Sequence, residues 1–316
     1  MTIVLQDPKI LALVCGTNDS NLKLIENFLG VPVFTRGNEL TLCDEREEVQ
    51  QRFKFIIDRL TDELAENNSL KKGFDNGKEL IESILNTGFE SFDSQSFSIS
   101  IPGSARKVYP KTKNQARLIK EFRKNNLVFA TGPAGSGKTF LAIAESLRLL
   151  LSHKINSIVL VRPIVEAGES LGFLPGDLQD KINPYLRPLY DSMNACISGE
   201  VVKKMQENGI IEVAPLAYMR GRTLNNAAVI LDEAQYTTCE QMKMFLTRMG
   251  ENSKFFITGD VSQIDLPKKI PSGLVQALEI LKNIGEISIV ELDSEDVVRS
   301  PLVKKIVQAY ENCKDE

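Results

Sequence analysis

Residues 132–139 read Gly132-Pro133-Ala134-Gly135-Ser136-Gly137-Lys138-Thr139, and this stretch decides the fold class. Its spacing fits G-x-x-x-x-G-K-[ST], the pattern of a phosphate-binding P-loop. The preceding residues 127–131 (LVFAT) are apolar and β-branched enough for one buried strand, and residues 140–151 are rich in helix formers. A strand, a glycine loop and a helix in that order are the context that this motif requires.

The chemistry of the motif points to a nucleotide ligand. Glycines allow backbone angles that a Cβ atom would forbid. The loop N–H groups can therefore turn toward phosphate oxygens beside the positive end of a helix. We expect Lys138 to reach the β- and γ-phosphates of ATP and the Thr139 hydroxyl to ligate Mg²⁺. All eight motif residues and the adjacent Phe140 are predicted nucleotide-binding positions.

The composition is that of an ordinary globular protein, with 316 residues of which 42% are hydrophobic and 25% charged. No apolar run approaches the length of a membrane span. The N-terminus (MTIVLQD) lacks the basic segment and the cleavage site of a signal peptide. The 5 cysteines form no C-x-x-C pair and there is 1 histidine, so we expect no zinc site and a reducing, cytoplasmic environment.

The net charge of −4 is not typical of a nucleic-acid-binding protein, but the charge is distributed unevenly along the chain. Residues 106–124 carry eight lysines and arginines against the single acidic residue Glu121. A helix is predicted here, with apolar positions Ala116, Ile119 and Phe122 and basic residues on its other sides. Two interpretations stay open: a solvated helix face, or a face that contacts RNA phosphates.

Beyond the P-loop helix, apolar strands alternate with helical segments. Strands are predicted at residues 157–162, 211–215, 227–231, 254–258 and 287–291. Alternation of this kind implies an α/β fold with a parallel sheet covered on both faces. Ligands of such sheets bind at the carboxyl ends of the strands. The P-loop, Asp232-Glu233 and the run from Gly259 to Gln263 all follow strands, so we expect them to converge.

These strand ends supply the groups that phosphoryl transfer needs. Asp232 is expected to hold Mg²⁺ through water, Glu233 to activate or orient the attacking water, and Gln263 to hydrogen-bond that water or the γ-phosphate. Lys138 supplies positive charge, and an arginine is usual as well. The candidates are Arg162, Arg220, Arg222, Arg248 and Arg299, and spacing does not choose among them. Arg299 opens the last predicted helix and can reach a site in its own chain or in a neighbour.

The N-terminal part is expected to be a small α+β domain at residues 1–60. Within it, residues 9–60 predict the order β-α-β-β-α, beginning with a strand at residues 10–14, and resemble a KH-like RNA-binding module. A KH domain clamps RNA with a G-x-x-G loop, whereas Asp19 ends the corresponding loop here and would repel phosphate. A docking or oligomerisation role therefore stays open beside RNA binding. Residues 61–104 are predicted to be a partly helical linker, and residues 105–316 an ATPase domain.

Several motifs together resemble the PhoH family, and the resemblance covers residues 105–312 densely. They are PKTKNQ at 110–115, the P-loop, VRPIVEAG at 161–168, LGFLPG at 171–176, MRGRTL at 219–224, LDEAQ at 231–235, FLTRMG at 245–250 and TGDVSQIDLP at 258–267. The resemblance implies a cytoplasmic, RecA-like P-loop ATPase related to the first motor domain of superfamily 1 helicases. It also implies a role in RNA metabolism, association with a ribosomal-RNA-processing endoribonuclease, and assembly into homo-oligomeric rings. Gln115 resembles the glutamine with which those helicases read adenine.

The sequence therefore favours an Mg²⁺-dependent ATPase that acts on RNA, as a helicase-like or remodelling oligomer. An alternative is an ATP-gated binding module that recruits a partner ribonuclease and hydrolyses ATP slowly. A P-loop kinase is disfavoured, because no lid or acceptor site is evident and the run from Asp232 to Gln235 suits water activation.

Overall fold

The computed structural model describes residues 1–65, 77–87, 98–104, 107–163, 178–267 and 270–298. The chain divides into two compact units. The first consists of Met1–Ser100 with Ala105–Ala116, and the second of Ile101–Ser104 with Arg117–Glu316. The described parts form an α/β protein in which a small α+β unit precedes a parallel-sheet core.

The first unit combines a small antiparallel sheet with helices. Its elements are β1 (Thr2–Val4), α1 (Pro8–Cys15), a 3-10 turn (Thr17–Asp19), α2 (Ser20–Leu29), β2 (Val33–Arg36), β3 (Glu39–Leu42), α3 (Glu47–Ala65), α4 (Gly77–Thr87), β4 (Ile99–Ser100) and β5 (Lys107–Val108). The sheet order is β1-β3-β2. Leu40 of the sheet, Phe53 and Ile56 of α3 and Ile81 of α4 share one buried core, so part of the predicted linker packs inside this unit.

The predicted strand at residues 10–14 is wrong, because these residues form helix α1. Asp7 accepts a hydrogen bond from the Lys9 amide and Pro8 opens the first turn, two signals that start a helix. Ile10, Leu13 and Val14 are then buried on one face. The order of this unit is accordingly β-α-α-β-β-α, and the loop with the aspartate (16–19) joins two helices instead of following a strand.

Helix α5 (Lys113–Lys124) carries the basic segment. Leu118, Ile119 and Phe122 are buried, whereas the predicted apolar position Ala116 is only half-buried. Leu118 was absent from the predicted apolar face.

The second unit alternates strands and helices along the chain. Its elements after α5 are β6 (Leu127–Thr131), α6 (Lys138–Leu151), β7 (Ser157–Arg162), α7 (Leu178–Cys196), α8 (Gly199–Glu207), β8 (Ile211–Pro215), β9 (Ala227–Leu231), α9 (Cys239–Leu246), β10 (Lys254–Gly259), α10 (Gly273–Leu281) and β11 (Ile287–Glu291). Short 3-10 turns lie at Leu216–Met219, Ala234–Tyr236 and Ser294–Asp296.

The main sheet has six strands in the order β11-β6-β10-β9-β7-β8, and every neighbouring pair is parallel. The predicted parallel sheet is thus confirmed. Its register aligns the strand ends, because Thr131 lies opposite Gly259 and Leu231 lies opposite Val161. The loops that follow β6, β7, β9 and β10 therefore leave the sheet at one edge. The P-loop, Asp232, Glu233 and Gln263 meet at this edge.

Candidate functional site

The glycine loop between β6 and α6 is shaped by close packing. Gly132 has φ +139°, and a Cβ atom there would lie 2.3 Å from the backbone oxygen of Leu292. Gly137, the residue before helix α6, has φ +86° in the left-handed region. Glycine is the residue that tolerates both a positive φ and the close approach of another backbone. The helix N-terminus behind the loop then points its free N–H groups toward the loop interior, as phosphate binding requires.

Lys138 folds back into this loop. Its Nζ atom donates to the carbonyl oxygens of Gly132 (2.7 Å) and Pro133 (2.8 Å) and to Ser136 Oγ (3.3 Å). Burial lowers the pKa of Lys138, while the carboxylates of Asp260, Glu233 and Asp232 act in the opposite direction. The loop thus holds a cation where it can meet phosphate oxygens.

Thr139 and Asp232 lie in direct contact. The Thr139 hydroxyl donates to Asp232 Oδ1 at 2.6 Å, and the Thr258 hydroxyl donates to the same oxygen at 2.8 Å. A hydroxyl and a carboxylate are hard oxygen ligands of the kind that Mg²⁺ prefers, with water completing its coordination. In the part of the chain that the structure describes, no cluster of three His, Cys, Asp or Glu side chains forms a metal site. The Thr139 hydroxyl and the Asp232 carboxylate are donors of the kind that fit Mg²⁺.

Glu233 is held from two sides at the end of β9. Its backbone is left-handed (φ +54°), an uncommon conformation for a residue with a side chain. Arg162 Nη2 at the end of β7 donates to Glu233 Oε1 at 3.2 Å. Gln235 Nε2 donates to Glu233 Oε2 at 2.6 Å. Arg162 Nη1 also lies 3.9 Å from Asp232 Oδ2, so its cation stands between the two neighbouring carboxylates.

A second acidic group follows β10. Asp260 Oδ1 accepts hydrogen bonds from the backbone N–H and the hydroxyl of Ser262, at 2.9 and 2.6 Å. Asp260 Oδ2 accepts from Gln263 Nε2 at 2.8 Å. Gln263 is thereby fixed at the same sheet edge as the phosphate-binding loop.

These groups surround a cavity of about 270 Å³ at the carboxyl ends of the strands. Its lining residues are Ala134, Gly135, Gly137, Lys138, Thr139, Phe140, Ser192, Asp232, Glu233, Gly259, Asp260 and Gln263. Three of them are carboxylates and one is a lysine. A polyphosphate in this cavity would face more negative than positive charge, so a divalent cation is needed to offset the repulsion.

The structure brings together most of the predicted site residues. The cavity includes the predicted positions 134, 135, 137–140, 232, 233 and 263, and positions 132, 133 and 136 hold the Lys138 ammonium from inside the loop. Gln115 belongs to the first unit, where its Oε1 accepts a hydrogen bond from the Lys111 amide at 2.7 Å. Its predicted contact with adenine stays a prediction. Arg299, most of the motif at residues 161–168 and all of the motif at residues 171–176 lie outside the described residues.

The other candidate arginines have distinct surroundings. Arg222 forms a bidentate pair with Glu212 (2.6 and 2.7 Å), and Arg248 Nη1 donates to the Arg222 carbonyl oxygen (3.0 Å). Both guanidinium groups are thus engaged in holding the loop after β8. Arg220, on the same loop, is exposed. Among the candidates that the structure describes, Arg162 is the one that contacts Glu233 and so reaches the cavity acids.

Sequence reasoning gave no individual role to three contributors to the site. Ser192 reaches the cavity from α7, and no motif surrounds it in the sequence. Gln235 and Asp260 stand inside stretches that the sequence marked, DEAQ and GDVSQ, but their spacing revealed no role. The position of Gln235 in the site becomes evident from two hydrogen bonds: its amide donates to Glu233 and accepts from the backbone N–H of Asp260.

Helix α5 presents basic side chains outward. Arg117, Lys120 and Lys124, which we call the basic face, are exposed at helical spacing. At the end of this helix, Lys254 Nζ donates to the carbonyl oxygens of residues 122, 123 and 125, at 2.7 to 2.9 Å. Burial lowers the pKa of Lys254. This lysine ties the helix end to the first residue of β10, so the basic face stands on a fixed support.

Comparisons with known proteins point to one family. The sequence model described as PhoH-like protein matches residues 107–311. The PhoH-like protein of Bacillus subtilis is 47% identical over 314 residues, which cover 97% of this chain and 96% of that protein. The PhoH-like protein of Mycobacterium tuberculosis is 46% identical over 304 residues, covering 96% and 85%. Protein PhoH of Escherichia coli is 45% identical over 202 residues, covering 63% of this chain and 57% of that protein.

One further property concerns membranes. None of the helices among the described residues combines the length and the apolar character needed to cross a bilayer.

Proposed function

Because the chain belongs to the PhoH-like protein family, we propose that it is an Mg²⁺-dependent ATPase that acts in RNA metabolism. One observation carries the proposal: Thr139, Asp232 and Glu233 line one cavity with the phosphate-binding loop. Hydrolysis of a nucleoside triphosphate requires, in addition to a phosphate-binding loop, a hydroxyl and carboxylates such as those that α6 and the end of β9 provide here.

Binding of ATP would use the loop and its lysine. The N–H groups at the start of α6 would cradle the phosphates, and Lys138 would exchange the loop carbonyl oxygens for β- and γ-phosphate oxygens. Thr139 and Asp232 would hold Mg²⁺, Asp232 through water. Bound Mg²⁺ would supply the positive charge that neutralises the phosphate oxygens during transfer.

Hydrolysis would use Glu233 and Gln263. Glu233 would accept a proton from water as the water oxygen bonds to the γ-phosphorus and the bond to the bridging oxygen of ADP breaks. Each oxygen of a carboxylate has two acceptor positions, so Glu233 can receive this proton while Arg162 and Gln235 hold it. Gln263, held by Asp260, would donate to the γ-phosphate or to the attacking water.

The proposed action on RNA rests on the basic face and on the resemblance. The three exposed cations of the basic face lie along one side of α5, a spacing that suits a run of backbone phosphates. Lys254 fixes the end of this helix to the sheet that carries the nucleotide site. RNA bound there would therefore lie on the same unit as the ATP.

We also propose partners and a cellular location for the protein. By resemblance, the protein would work in the cytoplasm as a homo-oligomeric ring, together with an endoribonuclease that processes ribosomal RNA. A ring would also allow a neighbouring subunit to insert an arginine into the site.

A second function deserves a test, an ATP-gated binding module that recruits a ribonuclease and turns over slowly. The observation that favours it is that both carboxylate oxygens of Glu233 already accept hydrogen bonds, one from Arg162 and one from Gln235. Fewer acceptor positions then remain for the attacking water.

Steady-state ATP hydrolysis with Mg²⁺, with and without single-stranded RNA, separates the two functions. Glu233→Gln serves as the blank, because an amide cannot take the proton. We expect RNA to raise turnover several-fold and the variant to lose turnover while retaining ATP binding. Slow turnover that RNA leaves unchanged would favour the gated module, and full turnover in Glu233→Gln would remove Glu233 from the role of base.

A further inference from the structure

Gln235 connects the ends of two strands through its side-chain amide. The residue is 0% exposed. Its Nε2 atom donates to Glu233 Oε2 at 2.6 Å, beside β9. Its Oε1 atom accepts from the backbone N–H of Asp260 at 3.0 Å, beside β10. A buried amide that is bound at both ends cannot rotate or exchange partners without losing hydrogen bonds.

Gln235 is closely surrounded by neighbouring residues. A Cβ atom on Gly259 would lie 2.9 Å from Gln235 Oε1, so the glycine makes space for the amide. The Ser272 hydroxyl donates to the backbone oxygen of Gln235 at 2.9 Å, before helix α10. The fold therefore fixes both the main chain and the side chain of this residue.

The two donors on Glu233 differ in character. Arg162 brings a positive charge to Oε1, and Gln235 brings a neutral amide to Oε2. The left-handed backbone at Glu233 sets where the side chain starts, and these two contacts set where the carboxylate points. Of the two, the amide contact is the shorter and the more deeply buried.

We propose that Gln235 is a positioning residue for the hydrolytic step, which orients the Glu233 carboxylate toward the attacking water. The inference rests on the proposed function, in which Glu233 is the base. Through the Asp260 amide, the same side chain links Glu233 to the carboxylate that holds Gln263. The group that takes the proton and the group that meets the γ-phosphate are thereby kept in one geometry.

Replacement of Gln235 distinguishes positioning from a purely structural role. Gln235→Met keeps the length and volume but removes both hydrogen bonds. We expect kcat to fall between about tenfold and a hundredfold, as misorientation of a catalytic group does. The KM for ATP and the affinity for a non-hydrolysable ATP analogue should stay within about twofold, because no proposed ATP contact changes.

Gln235→Glu is a second variant of nearly the same shape. It keeps an oxygen that can accept from the Asp260 N–H but replaces the amide that donates to Glu233 with an acceptor. We expect kcat to fall about tenfold or more in this variant, while the affinity for the non-hydrolysable ATP analogue stays within about twofold, because no proposed ATP contact changes.

A control variant completes the design. Gln241→Met removes a glutamine side chain that caps helix α9, away from the cavity, and should leave kcat and the KM for ATP unchanged. Wild-type kcat in Gln235→Met, or in Gln235→Glu if the methionine variant does not fold, would overturn the positioning role. Turnover retained in Glu233→Gln would instead overturn the proposed function, so the two failures are distinguishable.

Discussion

At Gly132 the phosphate-binding loop passes so close to Leu292 that a side chain has no space. We predict that Gly132→Ala lowers the free energy of unfolding by about 3 kcal/mol or more, because the new Cβ atom meets a backbone oxygen that cannot move alone. The loop should also lose affinity for ATP. Urea denaturation and a binding titration measure the two effects.

Gly221 provides the matched control for this prediction. It also has a positive φ (+78°), but a Cβ atom there would meet nothing within 4 Å. Gly221→Ala should therefore cost only the backbone strain, about 1 kcal/mol. If the two variants lose equal stability, close packing at Gly132 is not the reason for its glycine.

Replacing the hydroxyl of Thr139 tests metal binding without changing the shape of the loop. Thr139→Val keeps the branched side chain but removes the oxygen that contacts Asp232. We expect the Mg²⁺ concentration for half-maximal ATP hydrolysis to rise by about tenfold or more, since the oxygen that we propose as a direct ligand is lost. Thr139→Ser retains the hydroxyl and should stay close to wild type. An unchanged Mg²⁺ requirement in the valine variant would remove Thr139 from the metal site.

At the scale of elements, Lys254 on β10 fixes the end of helix α5, and with it the basic face, to the sheet through hydrogen bonds. We predict that Lys120→Glu with Lys124→Glu weakens binding of single-stranded RNA. The slope of log affinity against log salt should become shallower by about 1.4, since each phosphate contact with a single strand contributes about 0.7. Filter binding at several salt concentrations measures both quantities.

The control places the same charge changes on another helix. Lys203 and Lys204 are exposed on α8, and reversing both changes the net charge equally. This variant should bind RNA like wild type apart from a small general repulsion. Equal losses in both double variants would mean that net charge, and not the basic face, governs RNA binding.

The elements also show where sequence reasoning reaches its limit. The buried strands of the second unit could be predicted because a run such as 227–231 (AAVIL) is apolar throughout and bounded by polar residues. Residues 10–14 are equally apolar yet form a helix, since a short apolar run fits either structure and the cap at Asp7 decides. The spacing of apolar residues alone could not distinguish the strand at 227–231 from the helix at 10–14.

At the scale of the whole molecule, the site was predictable to the extent that it follows strand ends. Asp232, Glu233 and Gln263 could be placed because loops after parallel strands share one edge of the sheet. Ser192 could not, because a helix far along the chain brings it to the cavity. Gln235 could not either, because its role depends on a hydrogen bond to the neighbouring strand, and strand order is not visible in the sequence.

The last prediction concerns a site completed by a neighbouring subunit. Among the described candidates, Arg222 and Arg248 are engaged in holding the loop after β8, whereas Arg220 is exposed and free to meet another chain. Arg299 remains a sequence prediction. In a ring, an arginine that acts in trans and the base Glu233 would serve the same site from different chains.

Mixing two inactive variants tests this arrangement. We expect Glu233→Gln alone and either Arg220→Ala or Arg299→Ala alone to lack turnover. Equal mixing should restore about one quarter of wild-type activity, because that fraction of randomly assembled interfaces pairs an intact glutamate with an intact arginine. Two Glu233→Gln preparations mixed together control for exchange alone. If no mixture recovers activity although subunits exchange, the arginine that was replaced acts within its own chain. If both arginine variants keep turnover, neither arginine is required, and Arg162, which contacts Glu233, becomes the candidate.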